Sequence, residues 1–292
     1  MTGKLILVAT PIGNLGDFSP RAAEALRTAD AIACEDTRQT RKLLSAQSIT
    51  GKRLLAVHEH NENEAAKGLV ALAEHGEGQT IALVSDAGMP AISDPGAVVV
   101  RAFVEANLPI ECVPGPSAFI VALAVSGLPC DRFVFEGFLP AKGPGRRKTL
   151  EDLAREPRTS VLYEAPHRLS RTIKDLAEAM GPDRRISISR ELTKRFEETW
   201  RGTLGEAGNH VDAVEPRGEY VVVLSGFDRE SQPAEAVDDA ALKSRLDAHR
   251  EAGMRTRDAV DAVAAEFAAP RKRVYALAIG ATASASPQKF PA

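Results

Sequence analysis

The sequence predicts two α/β domains, the first with a doubly wound parallel sheet and the second with a mixed sheet, followed by a small helical C-terminal tail. Between residues 5 and 125, five short apolar runs alternate with segments of helical periodicity, the pattern of a parallel sheet with helices between its strands. The alternation restarts at residue 133 but is less regular. We therefore expect domains at 1–127 and 128–227, a linker at 228–238 and a helical tail at 239–292.

The first predicted strand is a continuous apolar run and the others are short and largely apolar, because a strand buried on both faces of a parallel sheet needs no polar face. They lie at 5–9, 31–34, 54–57, 80–84 and 110–113. Each is followed by a helical pattern. The helix after the fourth strand is predicted to begin with Asp94 as N-cap and Pro95 as the first helical residue.

The second domain is predicted to be mixed because no long helix separates its last strands. The predicted strands lie at 133–138, 160–163, 186–189, 199–204 and 220–224. A helical pattern at 169–180 ends at Gly181-Pro182. The polar, proline-bearing stretch after Gly226 is interpreted as the linker, and three short helical patterns beyond it predict a small bundle.

Charge and cysteine content narrow the class of protein. The 292 residues carry a net charge of -3, so any contact with nucleic acid must come from local basic patches. The three cysteines are scattered singly, which predicts neither a disulfide framework nor a zinc site. The first residues lack a signal-peptide pattern and no apolar run reaches membrane-spanning length. We expect a cytoplasmic protein with no metal and no membrane contact.

The loop at 85–96, after the fourth predicted strand, is the strongest candidate for a site. Ligands of open α/β sheets bind at the carboxyl ends of the strands, and Asp86 stands there as a carboxylate able to accept hydrogen bonds. An ordinary strand-to-helix turn is the alternative. Two further loops of similar character, at 10–14 and 113–118, favour a binding site.

Three short polar segments are predicted to face a common cleft. They are Glu35-Asp36-Thr37-Arg38, His58-Glu59-His60 and Glu164-Ala165-Pro166-His167-Arg168. No spacing rule supplies further metal ligands beside the two histidines. The sequence contains neither a dinucleotide-binding glycine fingerprint, nor a P-loop, nor the nucleophile elbow of a hydrolase.

Two basic clusters are candidates for phosphate contact. Residues 142–148 include Lys142, Arg146, Arg147 and Lys148, and we interpret this stretch as a flexible RNA-binding loop, the alternative being an ordinary solvated loop. A second cluster, Arg271-Lys272-Arg273, begins the last helix of the tail, where the helix dipole also favours a phosphate.

Five motifs together resemble a known family over about residues 4–226. They are Thr10-Pro11-Ile12-Gly13-Asn14-Leu15-Gly16-Asp17, Glu35-Asp36-Thr37-Arg38, the segment 85–96, Pro114-Gly115-Pro116-Ser117-Ala118 and Tyr163-Glu164-Ala165-Pro166-His167-Arg168. In this order they closely resemble the bacterial small-subunit ribosomal RNA 2'-O-ribose cytidine methyltransferases of the tetrapyrrole methylase superfamily. The wider superfamily has Gly-Asp-Pro after the fourth strand, whereas this chain has Ser85-Asp86-Ala87, which favours the RNA branch.

The resemblance implies a class III methyltransferase fold, S-adenosylmethionine as cofactor, and a homodimer. It implies methylation of a cytidine 2'-hydroxyl in the decoding region of 16S rRNA, within the small ribosomal subunit. The cofactor-contacting positions that it implies are Pro11, Ser85, Asp86, Met89, Ser117, Ala118, Glu164 and Leu192.

Deprotonation of the ribose hydroxyl is the chemical step that needs help, because a neutral hydroxyl is a poor nucleophile. Asp36 and His167 are the candidate catalytic residues; the alternative is that positioning alone supplies most of the rate. Two competing functions are a tetrapyrrole methyltransferase, which would need an apolar, arginine-rimmed groove, and a non-enzymatic RNA-binding module.

Overall fold

The computed structural model describes residues 3–74, 78–213, 217–227, 238–267 and 269–279. They form two units, 1–227 and 228–292. The first unit contains both predicted sheets, each with five strands.

The first sheet is parallel throughout, as predicted, with strand order β3-β2-β4-β1-β5. Its strands are β1 Lys4–Val8, β2 Ala31–Cys34, β3 Arg53–Ala56, β4 Thr80–Val84 and β5 Ile110–Val113. The helices that follow them are α1 Pro20–Thr28, α2 Thr37–Ala46, α3 Glu62–Glu74, α4 Ala97–Glu105 and α5 Ala118–Ser126.

Helices cover both faces of this sheet, which explains why its central strands are largely apolar. On one face, Ile32 and Val84 pack with Leu26 of α1 and Leu44 of α2. On the other face, strand residues pack with Leu69 of α3 and Phe103 of α4. The doubly wound arrangement is therefore confirmed.

The second sheet is mixed, as predicted, with order β6-β7-β10-β8-β9. Only β6 and β7 are parallel; the other neighbours are antiparallel. The strands are β6 Phe133–Phe138, β7 Thr159–Glu164, β8 Arg185–Arg190, β9 Glu198–Thr203 and β10 Tyr220–Leu224. The helices are α6 Gly143–Arg155, α7 Pro166–Met180 and α8 Leu204–Asp212.

Helix α5 follows the first sheet in the chain but packs on the second. Its Ala122 and Leu123 lie in one apolar cluster with Val161 of β7 and Val221 and Val223 of β10. The predicted boundary at residue 127 therefore separates the two sheets in sequence, while the structure places the last helix before that boundary against the second sheet.

Helix α4 does not begin as predicted. It starts at Ala97 rather than Pro95, and Asp94 is not its N-cap. The cap comes instead from α3, where Glu62 Oε1 accepts hydrogen bonds from the backbone N–H of Gly96 at 2.7 Å and of Val98 at 3.0 Å. This carboxylate satisfies two of the four N–H groups that a helix start leaves unpaired.

The C-terminal unit consists, over its described residues, of α9 Asp239–Glu251, α10 Thr256–Glu266 and α11 Arg271–Ala278. Leu242, Leu246, Val260, Val263 and Val274 form its own core. The three predicted tail helices are confirmed. The predicted linker, apart from Asp238, and the tail beyond residue 279 lie outside the described residues.

Candidate active site

A cavity of about 300 Å³ lies between the loops of the two sheets, and we call it the inner cavity. Its walls are mainly apolar, and it falls at the lower end of the volumes typical of small-ligand sites. The lining residues come from the loops after β1, β4 and β5, from the start of α7 and from the loops at the ends of β8 and β10. They include Ile12, Met89, Asp94, Ser117, Ala118, Phe119, Phe138, Tyr163, Leu192 and Glu219.

Aromatic side chains form part of the inner cavity wall. Phe119 stacks on Phe135 with 4.2 Å between ring centroids, and Phe135 meets Tyr163 edge to face at 5.0 Å. Burial raises the pKa of Tyr163 to about 12, so its phenol stays protonated at neutral pH. Phe119 and Tyr163 line the cavity and both contact Phe135 behind them, and an aromatic face of this kind suits a planar ligand group.

Two helices begin at the inner cavity without a side-chain cap. Ser117 precedes α5 and Ala165 precedes α7, and neither accepts a capping hydrogen bond in its side chain. Ser117, Ala165 and the first residue of each helix line the cavity. At α5 the unpaired N–H groups and the helix dipole favour a negatively charged group. At α7 this effect is smaller, because Pro166 has no N–H and the Ala165 N–H already donates to Glu164.

Asp94 contributes a partly buried carboxylate to the same wall. Burial, followed by the negative charges of Glu35 and Asp86, raises its pKa to about 6, although a hydrogen bond from Ser85 opposes the shift. A carboxylate held in this way gains most from a cationic ligand group.

Backbone strain is concentrated in two loops at the inner cavity. Ala91 and Ser93 in the loop after β4, and Glu191 and Thr193 in the loop after β8, have φ values between 49° and 70°. Non-glycine residues avoid this region, and strain of this kind clusters at ligand sites.

A second cavity of about 310 Å³, which we call the outer cavity, adjoins the inner one. Ile12, Ala87 and Glu219 line both. The remaining lining residues of the outer cavity include Thr10, Pro11, Gly13, Leu15, Gln39, Lys42, Leu43, Asp86 and Lys194. Between the cavities, Thr10 and Gly88 pair through two backbone hydrogen bonds, which join the loop after β1 to the loop after β4.

The residues predicted to contact the cofactor divide between the cavities. Met89, Ser117, Ala118, Glu164 and Leu192 line the inner cavity, whereas Pro11 and Asp86 line the outer one. Ser85 is buried and lines neither, and its backbone carbonyl accepts a hydrogen bond from Thr10 Oγ1. The predicted cluster is therefore assembled by the fold, with Ser85 beneath it.

Glu164 is fully engaged by its own neighbours. Its carboxylate accepts hydrogen bonds from the Ala165 N–H at 2.8 Å and from Thr172 Oγ1 at 2.5 Å, and Arg168 lies 3.3 Å away. These bonds hold Glu164 as part of the structural frame of the inner cavity.

Neither predicted catalytic residue occupies a position suited to that role. Asp36 caps α2, and hydrogen bonds from Arg38 lower its pKa to about 2, so it is a weak base. His167 is exposed and lines neither cavity. His58 and His60 are likewise exposed and line neither cavity.

The predicted basic loop is a helix start, and one of its residues is buried. Residues 143–148 form the first turns of α6, and Arg146 is only 4% exposed. Its guanidinium donates to Asp175 at 2.8 Å, to the Pro140 carbonyl at 3.1 Å and to Thr172 Oγ1 at 2.9 Å. The prediction that Arg146 binds RNA is therefore wrong, because its donors are committed within the fold. Lys142, Arg147 and Lys148 are exposed.

Several lining residues were not predicted, among them Asp94, Tyr163 and Lys194. Asp94 was interpreted as a helix cap, and Tyr163 and Lys194 were assigned no role. The motif that carries Asp94 could have identified it, since the segment 85–96 also contains Ser85 and Asp86. Lys194 lies in a stretch without regular periodicity, and only the folded β8–β9 loop brings it to a cavity.

No group of three or more histidine, cysteine, aspartate or glutamate side chains in the described ranges could hold a metal ion. Across those ranges, no helix is both long enough and apolar enough to span a bilayer.

Comparison with known proteins places the fold and the motifs in one family. The profile of the Tetrapyrrole (Corrin/Porphyrin) Methylases matches residues 4–208. The chain is 46% identical over 277 residues to the ribosomal RNA small subunit methyltransferase I of Synechocystis sp., covering 95% of this chain and 98% of the relative. It is 47% identical over 224 residues to the protein of that name from Thermotoga maritima, covering 77% and 99%.

A solved structure supports the same fold. The uroporphyrin-III C-methyl transferase of Thermus thermophilus, complexed with S-adenyl homocysteine, matches with a TM-score of 0.54 at 19% identity, over 76% of this chain and 97% of that one. At such low identity this likeness shows the fold alone. With the profile match and the close relatives, it follows that the chain belongs to the ribosomal RNA small subunit methyltransferase I family of the tetrapyrrole methylases.

Proposed function

We propose that this protein is an S-adenosylmethionine-dependent methyltransferase of the small-subunit ribosomal RNA, which modifies the 2'-hydroxyl of a cytidine in the decoding region of 16S rRNA. The observation that carries the proposal is the inner cavity, whose aromatic wall, uncapped α5 start and partly buried carboxylate match the parts of that cofactor. The printed names of the relatives supply the substrate class.

The residues of the inner cavity fit the cofactor group by group. The N-terminus of α5, at Ser117 and Ala118, provides free N–H groups for a carboxylate. Asp94 provides negative charge for the ammonium and sulfonium groups. Phe119, Met89 and Leu192 offer apolar surface for adenine.

When bound, S-adenosylmethionine supplies a methyl group activated by its positively charged sulfur. The protein's own contribution is to position the acceptor oxygen and to accept its proton. We assign proton acceptance to Asp86 in place of Asp36. Asp86 lines the outer cavity, accepts the Asp36 N–H at 3.1 Å, and has its pKa raised by the partial burial of its carboxylate and by the charge of Asp36.

The proposed RNA contacts are electrostatic and local. Lys142, Arg147 and Lys148 lie at the start of α6, which has no side-chain cap. Positive side chains and free backbone N–H groups together suit phosphate. Lys148 also pairs with Asp152 at 2.6 Å, but both side chains are exposed, so this pair exchanges readily for a phosphate.

Transfer of a radiolabelled methyl group from S-adenosylmethionine tests the proposal. We expect label to enter small ribosomal subunits that lack the modification, and nuclease digestion to yield labelled 2'-O-methylcytidine. Free 16S rRNA serves as a second substrate and uroporphyrinogen as a third. Label found only in the tetrapyrrole would overturn the RNA assignment in favour of the small-molecule alternative.

Cofactor binding is tested separately by calorimetry with S-adenosylhomocysteine. Ala118→Leu adds bulk at the inner cavity and is expected to weaken binding at least about tenfold. Ile120→Ala, at an exposed position two residues along the same helix, is the matched control and should bind as the wild type does. Equal affinity of Ala118→Leu and wild type would place the cofactor elsewhere.

A further inference from the structure

The inner and outer cavities share part of their lining, so a ligand in one lies close to a ligand in the other. Ile12, Ala87 and Glu219 line both cavities. In a methyl transfer the acceptor oxygen must approach the methyl carbon to about 3–3.5 Å. If the inner cavity holds the methyl donor, the acceptor must bind in a neighbouring space, and the outer cavity, which shares three lining residues with the inner one, is that neighbour.

We infer that the outer cavity is the subsite for the target nucleotide, and that Lys194 and Phe196 of the β8–β9 loop recognise its ribose-phosphate and its base. The inference rests on the proposed function and adds to it a location and two specificity-determining residues.

Lys194 is held rigidly at the wall of the outer cavity. Its Nζ donates to Glu191 Oε1 and to Glu219 Oε2, each at 2.9 Å. Its stem lies against Gly13, where an added Cβ would come within 2.3 Å of Lys194 Cγ. The side chain therefore has one favoured position, which reduces the entropy lost when it binds a ligand.

The ammonium group keeps a donor for a ligand. A lysine carries three N–H donors, and among the described residues only two of those of Lys194 have acceptors. The carboxylates of Glu191 and Glu219 raise the pKa of Lys194 against the effect of its burial, so it remains charged. Its free donor suits a phosphate or a ribose oxygen.

The β8–β9 loop, residues 191–197, is strained in a way that regular packing does not require. Glu191 and Thr193 have φ values of 49° and 66°. The Thr193 hydroxyl is buried and has no hydrogen-bond partner in the described part of the chain. Thr193 lies between Leu192, which lines the inner cavity, and Lys194, which lines the outer one. Strain and an unsatisfied hydroxyl in one loop are features of ligand sites.

Phe196, two residues after Lys194, offers a stacking surface. Its side chain is 66% exposed, and the guanidinium of Arg195 lies 5.7 Å from the ring centroid. The ring is not among the residues that line the outer cavity, but it stands on the same loop as Lys194 and its face is uncovered. Unstacked RNA bases bind on aromatic rings and on arginine planes.

The outer cavity suits a nucleotide better than a tetrapyrrole. Its polar groups are mixed, with Lys42 and Lys194 beside the acceptors Gln39 and Asp86. A nucleotide needs both hydrogen-bond donors and acceptors, because its phosphate requires donors and its ribose hydroxyl requires an acceptor. A tetrapyrrole carries several carboxylates on a broad ring, which Asp86 and Glu219 would repel and which a volume of about 310 Å³ would not enclose.

The test measures binding of cytidine 3',5'-bisphosphate by ligand-observed NMR, with S-adenosylhomocysteine saturating the full-length protein. Lys194→Met and Phe196→Ala should each weaken nucleotide binding, the first about tenfold or more since it removes a charged hydrogen bond. The affinity for S-adenosylhomocysteine should change less than about twofold. Lys4→Met is the matched control, because Lys4 also pairs with a carboxylate, that of Glu111 at 2.8 Å, but at the amino end of β1.

Gly13→Ala is a second test of the role of Lys194, since the added Cβ displaces the Lys194 stem without removing any charge. It should weaken nucleotide binding as Lys194→Met does. Wild-type affinity for the nucleotide in both Lys194→Met and Phe196→Ala, or no binding of nucleotide by a wild type that binds S-adenosylhomocysteine, would overturn the inference. A wild type that binds no S-adenosylhomocysteine would instead overturn the proposed function.

Discussion

The ionised form of Asp94 destabilises the folded state. Its carboxylate titrates near 3.8 in an unfolded chain and near 6 in the fold, chiefly because burial disfavours the charge. The folded protein therefore binds an extra proton between these values, and the free energy of unfolding falls as pH rises from about 4 to about 6. Above pH 6 the free energy of unfolding stays at this lower value. Such a cost is expected where a binding site holds a charged group that only its ligand neutralises.

Replacing Asp94 by asparagine removes this penalty. We expect Asp94→Asn to be more stable than the wild type at pH 7.5, by on the order of 1–2 kcal/mol, and no more stable near pH 4. Urea denaturation of both proteins at the two pH values measures the difference. A stability difference that does not depend on pH would contradict the assignment. The variant should also bind S-adenosylhomocysteine more weakly at pH 7.5.

Arg146, unlike Asp94, stabilises the folded state. Through Thr172 it supports Glu164, and its ion pair with Asp175 is largely buried. Arg146→Ala leaves these groups without their donor and should cost about 3 kcal/mol of unfolding free energy. Arg147→Ala, at the exposed next position of α6, should stay within about 0.5 kcal/mol of wild type. Thermal or urea unfolding compares the pair, and equal effects would show that Arg146 is not a structural residue.

At the scale of secondary structure, the strands were predictable because their signal is local. The run 80–84 is apolar at every position except Thr80, and β4 spans those five residues. Helix α8 was missed because Gly205 and Gly208 lower helical propensity, although Thr203 and Glu206 form a capping box at its start. The start of α4 could not be predicted, since its cap, Glu62, lies 34 residues from Gly96.

The parts of the site that depend on local sequence were predictable, and the parts that depend on distant contacts were not. The loops at 10–14, 85–96 and 113–118 were identified by their glycines, prolines and carboxylate. Arg146 was misassigned because its partner Asp175 lies 29 residues along the chain. No local pattern distinguishes a buried arginine from its exposed neighbours in a basic stretch.

The start of α6 gives a prediction about RNA binding. Each phosphate contact adds close to one unit to the slope of log affinity against log salt. Alanine at Lys142, Arg147 and Lys148 together should weaken binding to small ribosomal subunits and reduce that slope by about 2–3. The matched control removes three exposed charges elsewhere, Arg27, Lys67 and Arg101, and should keep the slope within about one unit. Full salt dependence in the first triple variant would place the RNA surface elsewhere.

At the scale of the whole molecule, the net charge of -3 means that long-range attraction to RNA is weak. Affinity must then come from a few local contacts and from shape. More contacts become available if two copies act together.

We propose that the protein is a homodimer, on the strength of its family resemblance. Light scattering of the purified protein at micromolar concentration should give about twice the 31.2 kDa of one chain. Dilution should reveal the dissociation equilibrium. A mass of one chain throughout the micromolar range would contradict the proposal.

The position of α5 also has a consequence for synthesis on the ribosome. Its apolar residues pack against Val161 of β7 and against Val221 and Val223 of β10, so α5 emerges about a hundred residues before the last strand that covers it. At about 5–20 residues per second, α5 waits roughly 5–20 s for β10. Until β10 is made, the nascent chain carries a completed first sheet followed by an apolar helix that is only partly covered, which is the kind of segment that chaperones bind.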